Sequence, residues 1–279
     1  MKYQNTKPIA ILLATYNSER FLREQLESLF AQTCQDFLLY VRDDGSTDRT
    51  PEILADFTVC YPGRIVLMDN QQSSLGARDS FFWMLSHVES DYYMFCDHDD
   101  VWLPEKIRLT WDKMKKTEQR YGSGNILVNT DQIVVDKDLK IIAPSVWKYS
   151  RLRPDLLCQF RYLSVCNFAL GCTIMINHTA RDSVFPVSPY AIMHDNWIAL
   201  KVADAGIIAS VPTPTMLYRQ HEHNAAGIKK AGMLNLLGKL RDIKLLIRNN
   251  REQLNMVRAI RKTSLISYIY RKVIYFCKR

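Results

Sequence analysis

The first hundred residues alternate between two hydrophobic periods. The run 9–14 (IAILLA) is continuously apolar, as expected of a strand covered on both faces. Residues 18–32 then place Phe21, Leu22, Leu26, Leu29 and Phe30 on one helical face, with Asn17 or Ser18 placed to cap it. FLLYVRDD (37–44) reads as a second strand and GSTD as a turn. Thr50-Pro51 opens a second helix, with proline at its tolerated first position. A third strand (64–70), a third helix (77–88) and a fourth strand (92–97) follow. This alternation predicts a parallel sheet with right-handed crossovers. Such sheets bind ligands at the carboxyl ends of their strands. Thr15-Tyr16-Asn17, Asp43-Asp44 and Asp97-Asp99-Asp100 occupy three of those ends and should converge on one crevice.

Later elements are read more coarsely. A charged helix is expected over 105–120, then a hairpin over 126–142 turning at Asp136 to Asp138. Residues 151–166 read as helical and GCTIMIN (171–177) as a strand. His194-Asp195-Asn196 leads into a helix over 197–205, and two short strands follow in 207–212 and 215–221. From Gly232 the pattern is helical to the end. There is no internal repeat. The reading divides the chain into an α/β domain (1–228) and a helical tail (229–279).

Charge sharpens that division. The chain carries a net +8, yet residues 229–279 hold 14 Lys/Arg against Asp242 and Glu252, a net of +12, leaving −4 for the first 228. So basic a tail points to an acidic surface. Seven cysteines, an odd number with no CxxC pair, disfavour a zinc site or disulfide framework and fit a reducing compartment. No signal peptide and no apolar run of about 20 residues is apparent. The expected location is cytoplasmic.

The chemistry concentrates in Asp97-His98-Asp99-Asp100. Three carboxylates within four positions repel one another, and a hard divalent cation such as Mg²⁺ or Mn²⁺, bound with substrate phosphates, removes that cost. The alternative is a solvated acidic loop. Asp43 and Asp44 can accept from a pyrimidine N–H or ribose hydroxyl, or form a plain turn around Gly45. Asp195 is a general base or a helix cap. Arg219 suits phosphate and His221 a metal shell, unless both are surface residues. Arg78 lies near the nucleotide or on an exposed helix face. Trp102 and Trp147 read as packing residues. No GxGxxG or GxxxxGK[ST] occurs, which disfavours a dinucleotide site and a P-loop.

Taken together, ILLATYNSERFLREQLESLFAQTCQDFLLYVRDDGSTDRT resembles the amino-terminal signature of family 2 inverting glycosyltransferases, and FCDHDDVWLPEKI resembles their DxD region. GCTIMIN, HDNW and LYRQHEHN are similar to later blocks of a bacterial rhamnosyltransferase-like subgroup. The resemblance spans 7–227 and implies a GT-A fold: a Rossmann-like mixed sheet flanked by helices, with the basic helical segment appended. It further implies that Thr15, Tyr16, Asn17 and Asp44 line the nucleoside pocket, with Arg78 beside it. Asp97 then lies near the ribose or donor sugar, Asp99 ligates the metal, and Asp195 is the catalytic base. His221 reaches the diphosphate or metal, with Arg219 assisting. His98 departs from the glutamine of this subgroup and would tune the donor site.

The implied reaction transfers L-rhamnose from dTDP-β-L-rhamnose to a hydroxyl of a glycan or lipid-linked saccharide in bacterial surface polysaccharide synthesis. Two other classes compete. A sugar nucleotidyltransferase would need a glycine-rich phosphate loop, which ATYNSER lacks. A non-catalytic scaffold sits poorly with intact Asp97, Asp99 and Asp195. The tail places Leu236, Leu237, Leu240, Ile243 and Ile247 on one face, and SLISYIYRKVIYFCKR mixes aromatics with cations. Its expected partner is an anionic membrane on the inner face of the cell. The alternatives are the catalytic domain itself or a second copy. No nucleic-acid motif accompanies it.

Overall fold

The computed structural model describes residues 2–4, 6–69, 74–222 and 243–279. Its centre is a sheet in which β2 (Ile9–Thr15), β3 (Phe37–Asp43), β4 (Ile65–Leu67) and β6 (Tyr92–Cys96) run parallel in the order β4-β3-β2-β6. Beyond β6 the sheet becomes mixed. β10 (Ile174–Asn177) runs antiparallel to both β6 and β8 (Asn125–Val135), and β11 (Gly206–Arg219) runs parallel to β8. β7 (Val101–Trp102) closes that edge. β9 (Ile141–Ala143) returns on β8 as the expected hairpin, with the Asp136 and Lys140 backbones bonded across its turn. Near the amino terminus, β1 (Tyr3–Gln4) and β5 (Val88–Glu89) form a separate parallel pair.

Both faces of the parallel strands are covered, which explains their unbroken apolar sequence. Because strand side chains alternate, Ile9, Ile11 and Leu13 join one core with α1 (Leu22–Phe30), α2 (Thr50–Cys60) and α4 (Lys106–Tyr121). Ala10 and Leu12 join the other, with α3 (Gly76–His87) and α9 (His194–Ala205). The inner residues of α10 (Ile243–Ile260) and α11 (Leu265–Lys278), among them Met256, Val257, Tyr268 and Tyr275, belong to that second core.

Three expectations need correction. The first helix starts at Leu22, and neither Asn17 nor Ser18 caps it through its side chain. Instead the Ser18 carbonyl accepts from the Phe21 and Leu22 N–H groups. Asn17, in the left-handed region at φ 47°, accepts from the Thr47 N–H at 2.9 Å and donates its own N–H to Ser46 Oγ at 2.8 Å. It ties the β2 loop to the β3 loop. The two late strands are one, β11, with register shifts on either side of Pro214. Pro212 and Pro214 bring no N–H, so the ladder is interrupted there without the strand ending.

The third correction concerns 151–166, which holds two single-turn helices, α6 (Pro154–Leu157) and α7 (Phe160–Leu163), parted by extended backbone at Gln159. Two further short helices, α5 (Val146–Tyr149) and α8 (His178–Val184), were not anticipated, and GCT forms a 3₁₀ turn before β10.

Candidate active site

Strand register brings the predicted ends together. Thr15 pairs with Asp43 across β2 and β3, and Leu13 pairs with Cys96, which places Asp97 just beyond the neighbouring strand end. Asp43 Oδ1 accepts from the hydroxyls of Thr15 (2.8 Å) and Ser46 (2.6 Å). Tyr16 stays exposed beside them. An open depression at this end of β3 is lined by Val41, Asp43, Pro51, Leu54, Leu67 and Met68, giving an apolar slot with one carboxylate.

Asp44 lies beneath this loop and is only 5% exposed. It pairs with buried Arg42 and accepts from Ser74 Oγ and from the N–H groups of Leu75 and Gly76 at 2.7–2.8 Å. Burial opposes its charged form, but these donors outweigh burial and hold its carboxyl down at about 2. Asp44 therefore anchors the start of α3. Arg78, in the first turn of α3, grips Asp79 with two nitrogens and donates to the Ala191 carbonyl at 3.0 Å. That contact ties the start of α3 to the loop preceding α9.

The acidic loop after β6 is the electrostatic centre. Acceptor atoms of Asp97 and Asp100 lie with Cys172 Sγ within 4.8 Å of one another. Burial, then the charges of Asp99 and Asp195, push Asp97 up to about 7. Burial, then the charges of Asp99 and Asp97, raise Asp100 well above the carboxylate range. Asp100 Oδ1 accepts from the Arg219 N–H at 3.1 Å, while among the described residues nothing donates to its buried Oδ2. Asp99 Oδ2 meets His221 Nε2 at 2.8 Å, so the two expected metal ligands stand together. Partly exposed His98 lies between Asp97 and Asp99 in the loop.

This donor set fits a divalent cation. Crowded carboxylates whose charged forms are disfavoured are relieved by positive charge, and their hard oxygens suit Mn²⁺ or Mg²⁺. Cys172 offers a soft sulfur, a poor match for these hard cations, and burial pushes its thiol well above the usual range.

Arg219 holds this loop from behind. Its guanidinium donates to the Asp99 carbonyl (2.8 Å) and the Lys137 carbonyl (2.7 Å), and pairs with Glu24 of α1. It also lies over the Phe21 ring at 4.5 Å, against which His221 packs too. Lys106, fully buried on the β7 side, adds positive charge near Asp100, and its own burial lowers it to about 8. Glu24, Phe21 and Lys106 escaped sequence reading. Each sits in or next to an ordinary helix and reaches the site only through the fold.

Asp195 occupies the first turn of α9. Met193 is the N-cap, so the simple capping role does not apply. Its Oδ1 accepts from the Asn196 N–H at 2.6 Å, and the Gly171 N–H also donates to the carboxylate. Burial raises it to about 6 despite those donors. His194 is buried beside it, its ring tilted against Phe81 with ring centroids 4.1 Å apart, and among the described residues neither ring nitrogen has a hydrogen-bond partner. A Cβ at Gly171 would come within 2.5 Å of His194 Nε2. Gly171→Ala should therefore displace the first turn of α9. A loss of about 1–3 kcal/mol in thermal unfolding is expected, together with a fall in turnover. Unchanged turnover would show that Asp195 does not depend on this packing.

The fold is that of the GT-A glycosyltransferases. The TarS fragment 1–349 of S. aureus, solved with UDP-GlcNAc, superposes with a TM-score of 0.64 at 16% identity, covering 99% of this chain and 72% of that one. The mannosyltransferase PcManGT of Pyrobaculum calidifontis, solved with GDP-Man and Mn²⁺, gives 0.57 at 14% identity over 99% of this chain and 81% of that one.

The chain belongs to glycosyl transferase family 2, whose family model matches residues 10–185. It is a glycosyltransferase that uses a nucleotide-sugar donor. Among curated relatives it is 28% identical over 229 residues to the dTDP-rhamnosyl transferase RfbG of Shigella flexneri, covering 77% of this chain and 73% of that protein. It is 25% identical over 208 residues to the UDP-Glc:alpha-D-GlcNAc-diphosphoundecaprenol beta-1,3-glucosyltransferase WfgD of Escherichia coli, covering 73% and 72%.

Proposed function

We propose that the protein is a metal-dependent inverting rhamnosyltransferase, taking L-rhamnose from dTDP-β-L-rhamnose to a hydroxyl of a lipid-linked saccharide in bacterial surface polysaccharide synthesis. The observation that carries the chemistry is the convergence of the Asp97–Asp99–His221 group and Asp195 at one end of the sheet. The likeness to RfbG supports the choice of sugar.

In this reading Tyr16, Asn17 and the Asp43 slot border the nucleoside, with Thr15 fixing Asp43 and Arg78 closing one side. Asp44 supports this loop from beneath. Asp97 and His98 face the ribose and donor sugar. Asp99 and His221 hold the cation, and Arg219 keeps their loop in place. When bound, the cation neutralises charge on the leaving diphosphate. Asp195 accepts the proton of the acceptor hydroxyl as that oxygen attacks the anomeric carbon. A single displacement inverts the anomeric configuration, giving an α-L-rhamnoside.

The test is nucleoside diphosphate release from dTDP-, UDP- and GDP-sugars with Mn²⁺, Mg²⁺ or EDTA, with lipid-linked acceptor supplied. Release from dTDP-rhamnose, abolished by EDTA, is the expected result. Release from UDP-glucose alone would replace the rhamnose assignment with the donor of WfgD. Neither binding nor release with any donor would sink the catalytic reading.

A further inference from the structure

Helix α11 carries an outer face that no other described residue covers. Leu265, Ile266, Ile269, Tyr270, Val273 and Phe276 are each at least half exposed, and Ile266 reaches 81%. Their spacing places all six on an arc of about 140°, on a helix of about 3.6 residues per turn. No charged residue interrupts that arc. The opposite side carries Tyr268 and Tyr275 into the core, and Lys272 lies at its margin against Asn250 of α10. A stripe of this length on a helix already anchored from behind is a binding face.

The surroundings are strongly basic. Residues 243–279 contain ten Lys/Arg and one acid, Glu252. The end of α11 is fastened to a second basic stretch: Arg153 donates to the Lys278 carbonyl at 2.9 Å, and Arg279 donates to the Arg151 carbonyl at 2.9 Å. Exposed apolar and aromatic side chains on a segment with so large a positive excess match the interface of an anionic bilayer, where the apolar face is buried and the positive charge is drawn to lipid phosphates. A second copy fits less well, because pairing this face with itself would oppose two positive surfaces. Among the described residues no helix is long and apolar enough to cross a membrane, so the contact would lie in the interface.

We infer that α11 docks the protein on an anionic lipid surface through its Leu265–Phe276 face. Docking would bear on the active site through α10, which lies between the two. Gln253 of α10 accepts from Asn196, next to Asp195, at 3.2 Å and donates to the Ser164 carbonyl at 3.2 Å. Met256 Sδ accepts from the Ile192 N–H at 3.5 Å, in the loop leading to α9. The membrane face and the turn bearing Asp195 are thus parts of one packed unit. Use of that arrangement to present a lipid-linked acceptor rests on the function proposed above. The docking itself does not.

The experiment is vesicle co-sedimentation of the full chain with equimolar phosphatidylcholine and phosphatidylglycerol, against phosphatidylcholine alone. Binding to the anionic vesicles, weakened by salt and nearly absent without phosphatidylglycerol, is expected. Ile266→Glu with Tyr270→Glu should weaken it at least about tenfold, since both side chains are exposed and their apolar burial in lipid is lost. An unchanged thermal midpoint would show that the variant still folds. Binding that survives in the folded variant would overturn the assignment, as would no binding by the parent chain. A dimer in sedimentation equilibrium that the variant dissociates, with vesicle binding intact, would make the face a self-association surface instead.

Discussion

Asp195→Asn should lower turnover by about 10²–10⁴-fold, the range supplied by a positioned proton acceptor, while donor affinity stays near the parent value. Asparagine keeps the size and one acceptor oxygen, so the contacts from the Gly171 and Asn196 N–H groups can persist. What it loses is the ability to take a proton. The fold should not suffer. A carboxyl raised to about 6 favours folding in its protonated form and opposes it once ionised, so at neutral pH the neutral amide is neutral or stabilising. The pH profile adds an independent check. Asp195 is ionised above about 6, so parent turnover should fall on the acid side by about tenfold per pH unit, and that limb should be missing from the residual activity of the variant. Weak donor binding with normal turnover at saturation would move Asp195 from the acceptor side to the donor side.

The parts of this architecture that could be read from the chain share one physical property: each is a local pattern. β2, β3 and β6 are covered on both faces, so they announce themselves as apolar runs, and the crossover rule brings their ends together. The Thr15–Asp43 pairing follows directly. Asp195 could be singled out but not assigned, because a carboxylate at a helix start suits a cap as well as a base. The fold removes only the capping alternative, since Met193 occupies the N-cap position and Asp195 lies inside the first turn, where Gly171 of a distant turn reaches it. The Arg219–Glu24 pair was illegible for the same reason, since it joins positions 195 residues apart with no periodic signature. Prolines in β11 read as a strand break because ladder donors are missing, although parallel pairing with β8 resumes after them. In the tail, Leu236, Leu237 and Leu240 lie outside the described residues. Within those described, the extended apolar face is on α11, where the sequence shows aromatics among cations without revealing which side packs inward.

Removal of the cation should be comparably severe, and Asp99→Ala should reproduce much of it. With a donor diphosphate approaching this cluster of carboxylates, like charges crowd together unless a cation intervenes. EDTA should therefore weaken donor binding by about 10²-fold or more, which corresponds to about 3 kcal/mol. Asp99→Ala removes the oxygen that faces His221 and leaves a lone imidazole, so added Mn²⁺ should restore little of that affinity. Titration calorimetry of the nucleoside diphosphate, with and without Mn²⁺, reads both effects. The result also distinguishes two ways of seating the ion. If metal dependence survives in Asp99→Ala but is lost in Asp97→Asn, the ion rests on the Asp97–Asp100 pair, whose Asp100 Oδ2 has no hydrogen-bond partner among the described residues. His221 would then orient Asp99 without touching the metal. Loss in Asp99→Ala with survival in Asp97→Asn is the expected outcome, because Asp99 is the carboxylate that meets His221, while Asp97 faces the donor sugar in the proposed reading.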